Sequence, residues 1–163
     1  MKRDRIGFLR LVSELNNDAE ILEELMGKYN LLNKKLMQIK PDEFDWSSLG
    51  YAIHNLYNLL ENYFLRISKF FENDLDQSSW HRELVNRMTI EIIDVRPRLF
   101  NRDLANKINE LRAFRHVFRY IYQSRLDVEK LQNLNNRIPG IINEFKQSHK
   151  LFIERLYKII EAL

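Results

Sequence analysis

The residues best suited to chemistry lie together in the stretch LRAFRHVFRYIY, residues 111–122. At 100° per residue, Arg112, His116 and Arg119 share one face of a helix, and Arg115 lies on the adjacent face. Arginine stabilises charge on a phosphate, and histidine moves a proton to or from a 2′-hydroxyl or a leaving oxygen. The stretch therefore suits metal-independent cleavage of RNA, although a solvated basic helix face has the same composition.

Positive charge is concentrated around this stretch. Residues 96–125 hold eight Lys/Arg and two acidic residues, a formal charge of +6, whereas the whole chain carries +3. A basic zone on a slightly acidic remainder suits a phosphate-bearing ligand or an acidic partner. We expect Arg112 and Arg119 to bind RNA, together with Arg96 and Arg98 just upstream.

Several other kinds of site are excluded by composition. The chain has no cysteine, which removes disulfides, thiolate metal sites and cysteine nucleophiles. The four histidines are scattered without a Glu-x-x-His pair and the four glycines are isolated, so we expect no metal and no cofactor. No apolar run approaches the roughly 20 residues of a membrane span, and no signal peptide is recognisable. We expect a cytoplasmic protein that does not contact membranes.

Apolar residues recur in steps of three and four along most of the chain, which is the pattern of helices packed side by side. The steps predict helices over residues 5–39, 48–72, 80–93, 102–124 and 127–163. The first of these is one long helix or two in tandem. The polar segment KPDEFDWSS predicts a break between the first two helices. The predicted fold is all-α: one domain, residues 1–163, formed by an antiparallel bundle of about five helices.

Helix ends can also be predicted. Ser79, Asn101 and Asp127 suit the N-caps of the last three helices. Pro139-Gly140 is expected to kink or interrupt the final helix.

Arg115 occupies a position at which the apolar stripe of residues 102–124 predicts an apolar residue. A guanidinium at a core position is costly unless it is paired. One interpretation is an ion pair with Glu61 or Glu83 of its own chain.

Six segments in a fixed order carry a resemblance to a known family: IHNLYNLLENYFLRI, WHRELVNRM, RPRLF, LRAFRHVFR, Tyr122 and LDVEKL. Together they resemble the HepT-like ribonuclease toxins of the HEPN superfamily. The resemblance implies a helical homodimer that cuts RNA without metal in a cleft at its interface. It offers a second interpretation of Arg115, which would face this cleft at the two-fold interface and stay partly hydrated. It also implies a partner, a nucleotidyltransferase antitoxin of the MNT type, which neutralises the toxin by attaching AMP to a tyrosine and can assemble with it into a larger complex.

The motif of this family reads arginine, four residues, histidine, one residue, tyrosine. Arg115 takes the arginine position and Tyr122 the tyrosine position, but Tyr120 stands at the histidine position. A phenol titrates near about 10 and imidazole near about 6.5, so Tyr120 is a poor base at neutral pH. Tyr122 is the expected AMP acceptor because it fits the motif, and Tyr120 is the second candidate.

Three accounts of this departure stay open. His116, four residues from Arg112 and about one turn from Tyr120, replaces the missing histidine. Alternatively, the arginines do most of the work by holding the phosphate, and Tyr120 only positions RNA. In the third account the chain is catalytically weak and retains binding and dimerisation.

Residues on two other helices carry weaker expectations. His54, Tyr57 and Glu61 lie within two turns and can line the same cleft. The simpler interpretation puts Tyr57 in the core, pairs Glu61 with an arginine and leaves His54 exposed. His81 can contact the motif, whereas Trp80 is most simply a packing anchor.

The leading functional hypothesis is the toxin of a type II toxin–antitoxin pair, an endoribonuclease acting on tRNA or mRNA. The alternative is a catalytically degenerate HEPN module that dimerises and binds a nucleotidyltransferase or RNA without cleaving. A third hypothesis is a helical adaptor with no role in nucleic-acid binding.

Overall fold

The computed structural model describes residues 4–72, 80–119 and 125–163, apart from the side chains of Trp80 and Arg82. These residues form five α-helices: α1 (Arg5–Leu36), α2 (Glu43–Phe71), α3 (Trp80–Arg87), α4 (Arg102–Phe118) and α5 (Val128–Ala162). Within those ranges no strand is present, and Ile92 and Arg96 form an isolated bridge. The predicted all-α bundle of about five helices is confirmed.

The start of α2 corrects one predicted boundary. The helix begins at Glu43 rather than at residue 48, because Asp42 and Asp45 form a capping box. Each carboxylate accepts a hydrogen bond from the backbone N–H of the other residue, at 3.0 Å and 2.9 Å. The polar segment predicted as a break therefore contains the first turns of a helix.

The last two helices begin as predicted. The Asn101 side chain accepts a hydrogen bond from the N–H of Leu104 at 2.9 Å, and Asp127 accepts one from the N–H of Lys130 at 3.1 Å. The expected caps at both residues are confirmed. The predicted cap Ser79 lies outside the described residues.

Two predicted helix ends lie too far along the chain. α1 ends at Leu36 rather than at residue 39, and α3 ends at Arg87 rather than at residue 93, where turns follow. α4 is described as helix to Phe118, and residues 120–124 lie outside the described part.

Of the two effects expected at Pro139, an interruption of the last helix is wrong, because α5 runs unbroken from Val128 to Ala162. A kink at Pro139 stays a prediction. A proline inside a helix costs about 3 kcal/mol through a lost hydrogen bond and a clash. Burial of the apolar residues around it offsets that cost: Ile138, Ile141, Ile142 and Phe145 are each at most 2% exposed.

A single apolar cluster joins the helices around α2. At its centre the rings of Tyr63, Phe64 and Phe145 meet edge to face, with centroids 5.1–6.2 Å apart. α1 packs along α2 and α5, and α4 packs against α2, α3 and α5. This arrangement holds the basic helix α4 against the polar residues of α2. None of the described helices has the length and apolar character needed to cross a bilayer.

Candidate functional site

Arg115 lies near the C-terminal end of α4 and contacts three residues of α2. Its Nε donates a hydrogen bond to Asn58 Oδ1 at 2.6 Å, and its Nη2 lies 3.7 Å from Glu61 Oε1. Its Cζ lies 5.9 Å from the centroid of the Tyr57 ring, within the range of a cation–π contact. The side chain is 17% exposed, so the guanidinium is held in place yet reachable from solvent.

The ion pair with Glu61 is one of the two interpretations offered for this arginine, and the structure contains it. Glu83, the other acid considered, pairs with Arg87 instead, at 2.7 Å. The position of Arg115 on an apolar stripe is thus explained within one chain. A dimer is not required to account for it.

Glu61 joins three helices through one buried carboxylate. It is 6% exposed, and while Oε1 faces Arg115 on α4, Oε2 accepts a hydrogen bond from His81 Nδ1 on α3 at 2.7 Å. A buried carboxylate needs such cationic or N–H partners to offset its desolvation. Glu61 does pair with an arginine as expected, and His81 reaches the motif arginine through this carboxylate.

Tyr57 is fully buried beneath Arg115, as expected of a core residue. Burial raises the pKa of its phenol far above the usual 10, and the negative charge of Glu61 raises it further. Its hydroxyl makes no hydrogen bond of ordinary geometry among the described residues. Tyr57 is therefore neutral at any physiological pH and serves as a packing surface for the guanidinium.

His54 is partly buried, so the expectation that it is exposed is wrong. Its ring centroid lies 5.9 Å from that of Phe118 on α4 and 6.5 Å from that of Tyr51, which stacks beside it. Nδ1 is buried and has no hydrogen-bond partner in the described ranges.

Burial is the largest influence on the protonation of His54, and it lowers the imidazole pKa below 6.5. The positive charges of Arg115 and Arg119 lower the pKa further, and the negative charge of Glu61 opposes them. The imidazole is therefore neutral at neutral pH.

Two more arginines of α4 lie close enough to α2 for their charges to act there. The charge of Arg112 lowers the pKa of Tyr57, and that of Arg119 lowers the pKa of His54. Arg112 is half-buried and its Nε donates to Asn109 Oδ1 at 3.1 Å, while His116 is exposed. Arg119 is exposed at the C-cap of α4, where its N–H donates to the carbonyls of Arg115 and Val117. Along α4, Arg112 and His116 lie about one turn apart, and Arg115 lies on the adjacent face.

Tyr120 and Tyr122 lie outside the described residues. The predicted proximity of His116 to Tyr120, and the roles of both tyrosines, stay predictions.

Arg96 is not available to RNA, which corrects its predicted role. It is 1% exposed, with Nη2 2.8 Å from Glu72 Oε1 and 3.0 Å from the carbonyl of Arg87. Burial lowers its pKa, and the Glu72 charge opposes that effect. Arg96 therefore anchors the segment after α3 to the end of α2. Arg98 is exposed and remains a candidate for binding RNA.

Asn58 is the member of the site that sequence reasoning missed. It follows His54 by four residues and precedes Glu61 by three, so all three lie on one face of α2. This spacing could have predicted the role of Asn58, because His54 and Glu61 on the same helix face are candidates to line the cleft. No group of three or more His, Cys, Asp or Glu residues that could hold a metal ion occurs in the part of the chain that the structure describes.

A comparison with family models matches more than half of the chain. The family is described as HepT-like protein, and the match spans residues 48–156. The chain belongs to the HepT-like family. No curated protein and no solved structure gives a significant match.

The matched region of this HepT-like protein runs from early in α2 to near the end of α5. It includes every residue of the site described above and supports a HEPN-type bundle. α1 lies outside it and packs along α2 and α5. The family match therefore includes the polar cluster around Arg115 and does not include α1.

Proposed function

We propose that this HepT-like protein is the toxin of a type II toxin–antitoxin pair and cleaves RNA without a metal ion. The observation that carries the proposal is the state of Arg115, the arginine of the motif. It is held by Asn58 and Glu61, yet its side chain keeps 17% of its surface exposed.

Arg115 has hydrogen-bond donors to spare for a phosphate. A guanidinium has five N–H donors, and among the described residues Asn58 Oδ1 is the only hydrogen-bond acceptor of this one. The 3.7 Å separation from Glu61 is an ion pair longer than a hydrogen bond. The remaining N–H groups can therefore bind the phosphate oxygens whose charge grows in the transition state.

The cleavage reaction needs no group beyond side chains and water. The 2′-oxygen of the ribose loses its proton and bonds to phosphorus, and the bond from phosphorus to the 5′-oxygen breaks. The products are a 2′,3′-cyclic phosphate and a 5′-hydroxyl. Arg112 and Arg119, with Arg98, supply positive charge along the RNA backbone.

The proposal includes a homodimer with the site at its interface, which the resemblance to HEPN toxins suggests. Two exposed apolar side chains beside the site are compatible with a covering surface: Tyr51, 61% exposed, and Val117, 58% exposed. Light scattering coupled to gel filtration tests the assembly directly, and a monomer at micromolar concentration would remove the dimer from the proposal.

The proposed partner is a nucleotidyltransferase antitoxin of the MNT type that attaches AMP to Tyr122 or Tyr120. Co-expression with such an enzyme, followed by intact-mass and peptide mass spectrometry, tests this step. We expect a mass gain of one AMP or more on the peptide that contains both tyrosines. A gain unaffected by Tyr122→Phe and Tyr120→Phe together would contradict the assignment.

Purified protein incubated with tRNA and a long mRNA in EDTA tests the cleavage itself. We expect cleavage by the native chain and a loss of about 10²–10³-fold in Arg115→Ala, as for other charge-stabilising groups. Lys107→Ala is the matched control, because Lys107 is an exposed cation of α4 that pairs with Glu144 away from the site. Equal rates in native protein and Arg115→Ala would contradict the proposed role of this arginine.

One feature favours a second candidate, a HEPN module that binds RNA or a nucleotidyltransferase without cleaving. Tyr120 occupies the histidine position of the motif. Under this alternative, native protein shown by mass spectrometry to carry no AMP binds RNA but leaves it intact in EDTA.

A further inference from the structure

The site lacks a histidine at the motif position, where Tyr120 is a poor proton acceptor, but a histidine of α2 lies beside Arg115. We propose that His54, on α2, is the general base of this site and takes the place of the missing motif histidine. The inference rests on the proposed ribonuclease function and assigns its proton-transfer step.

The position of His54 follows from the antiparallel packing of α2 on α4. Asn58 of α2 holds Arg115 of α4. One turn earlier on α2, the ring of His54 packs against Phe118, which lies one turn later on α4. The imidazole is therefore next to the guanidinium along the same helix–helix groove, at the end where Arg119 caps α4.

The ring of His54 is held by its neighbours. Phe118 stacks on Phe114 at 5.6 Å and lies close against α2 at Gly50, where a Cβ would come within 2.6 Å of the phenyl ring. Tyr51 stacks beside His54 at 6.5 Å. Nδ1 is buried without a partner in the described chain, whereas the residue as a whole is partly exposed. The proposal therefore assigns the proton transfer to the other ring nitrogen, Nε2.

The charged groups around His54 keep it in the form a base requires. Glu61 faces it from α2, Arg115 and Arg119 face it from α4, and His81 of α3 is joined to the same carboxylate. Burial and the two guanidinium groups hold the pKa of His54 below 6.5. An unprotonated imidazole accepts a proton, whereas an imidazolium cannot.

The proposed step balances without any further reactant. His54 takes the proton of the ribose 2′-hydroxyl while the 2′-oxygen bonds to phosphorus. The bond between phosphorus and the 5′-oxygen breaks, and the 5′-oxygen takes a proton from water. Arg115 stabilises the added negative charge on the phosphoryl oxygens, and His54 returns its proton to solvent.

Two other histidines compete for the role. His116 is exposed on α4 and is the candidate that the sequence favours. His81 is hydrogen-bonded to Glu61, as in carboxylate–histidine pairs that orient an imidazole. The imidazole that packs against Phe118 in the groove beside Arg115 is that of His54. The experiment therefore compares all three.

Cleavage of an RNA oligonucleotide in EDTA by native protein, His54→Ala, His54→Gln, His81→Ala and His116→Ala tests the assignment. We expect both His54 variants to lose about 10²-fold or more, the usual contribution of a general base. Their affinity for an oligonucleotide with 2′-deoxyribose at the cleaved position should stay within about twofold of native. Thermal melts establish that each variant is folded.

Chemical rescue separates a proton-transfer role from a structural one. Added imidazole should restore much of the activity of His54→Ala and none of the activity of Arg115→Ala. Added guanidinium at low millimolar concentration should do the reverse. The rescued rate should rise with pH as imidazole loses its proton, and the native rate should fall at acidic pH as His54 gains one.

The possible outcomes distinguish failure of the proposed ribonuclease function from failure of the assignment of His54 as its general base. Native protein that does not cleave overturns the ribonuclease function, and the assignment of His54 with it. Native protein that cleaves while His54→Ala retains its rate overturns only the assignment of His54. Loss in His54→Ala without rescue by imidazole also overturns it, and loss confined to His116→Ala or His81→Ala transfers the role to that residue.

Discussion

The carboxylate of Glu61 should be the most costly polar group of the site to remove. Glu61→Ala leaves the guanidinium of Arg115 without its counter-charge and His81 Nδ1 without its acceptor. Removing one partner of a fully buried pair costs about 3–5 kcal/mol. Because the side chains of Arg115 and His81 are 17% and 37% exposed, water compensates part of that loss. We expect Glu61→Ala to destabilise the protein by about 2–3 kcal/mol.

For a chain of this size, each kcal/mol shifts the Tm by about 2–4 °C, so the expected decrease is about 4–12 °C. Urea unfolding at pH 7.5 measures the free energy, and thermal denaturation followed by circular dichroism measures the Tm. Glu61→Gln should lose less, because an amide oxygen can still accept from His81.

Glu83→Gln is the matched control on the neighbouring helix. Glu83 is 41% exposed and pairs with Arg87, which retains Glu72 as a second partner. Exposed pairs contribute about 0–1 kcal/mol, so a Tm within about 2–3 °C of native is expected. Equal losses in Glu61→Ala and Glu83→Gln would refute the idea that one buried carboxylate organises the site.

Three further predictions concern packing, pH and RNA binding. Gly50→Ala should lower the Tm, because the added Cβ would lie 2.6 Å from a phenyl ring of α4. Gly27 has open space around it, so Gly27→Ala should instead raise the free energy of unfolding by about 0.5–1 kcal/mol. Thermal melts of the two variants in parallel test both expectations. Burial lowers the pKa of His149, so below about pH 6.5 the unfolded chain binds more protons than the folded one. The free energy of unfolding should therefore fall as the pH drops from about 6.5 through the folded-state pKa. Urea unfolding at several pH values should show a weaker pH dependence of this free energy in His149→Gln. Arg98 is exposed, so Arg98→Ala should weaken RNA binding and reduce the number of counterions released on binding by about one, as fluorescence anisotropy at several salt concentrations would show. Arg96 is buried, so Arg96→Ala should chiefly lower the Tm in a thermal melt.

Local chemistry made much of the fold predictable. Asn101 and Asp127 were recognisable as caps because a short polar side chain just before an apolar stripe satisfies the first N–H groups of a helix. The same chemistry was overlooked at Asp42 and Asp45, where the acidic residues looked like a polar break but form a reciprocal cap. The difference is Pro41 directly before them, which marks a break as readily as a helix start.

Features that depend on distant residues were not predictable in the same way. The helix around Pro139 continues because its apolar face is buried against other helices, which spacing within α5 alone does not reveal. Arg96 belongs to a basic segment, but its burial depends on Glu72, 24 residues earlier. Arg115 was identified from its wrong place on an apolar stripe, and Glu61 was a candidate partner. The role of Asn58 depended on which face of α2 meets α4.

The most direct test of the account uses two RNA oligonucleotides that differ by one oxygen atom. After the cleaved position is mapped, native protein in EDTA is given the RNA and the same RNA with 2′-deoxyribose at that position. We predict cleavage of the first to a 2′,3′-cyclic phosphate and a 5′-hydroxyl, and no cleavage of the second. Cleavage of both, or of neither by protein free of AMP, would contradict a metal-independent ribonuclease built around Arg115.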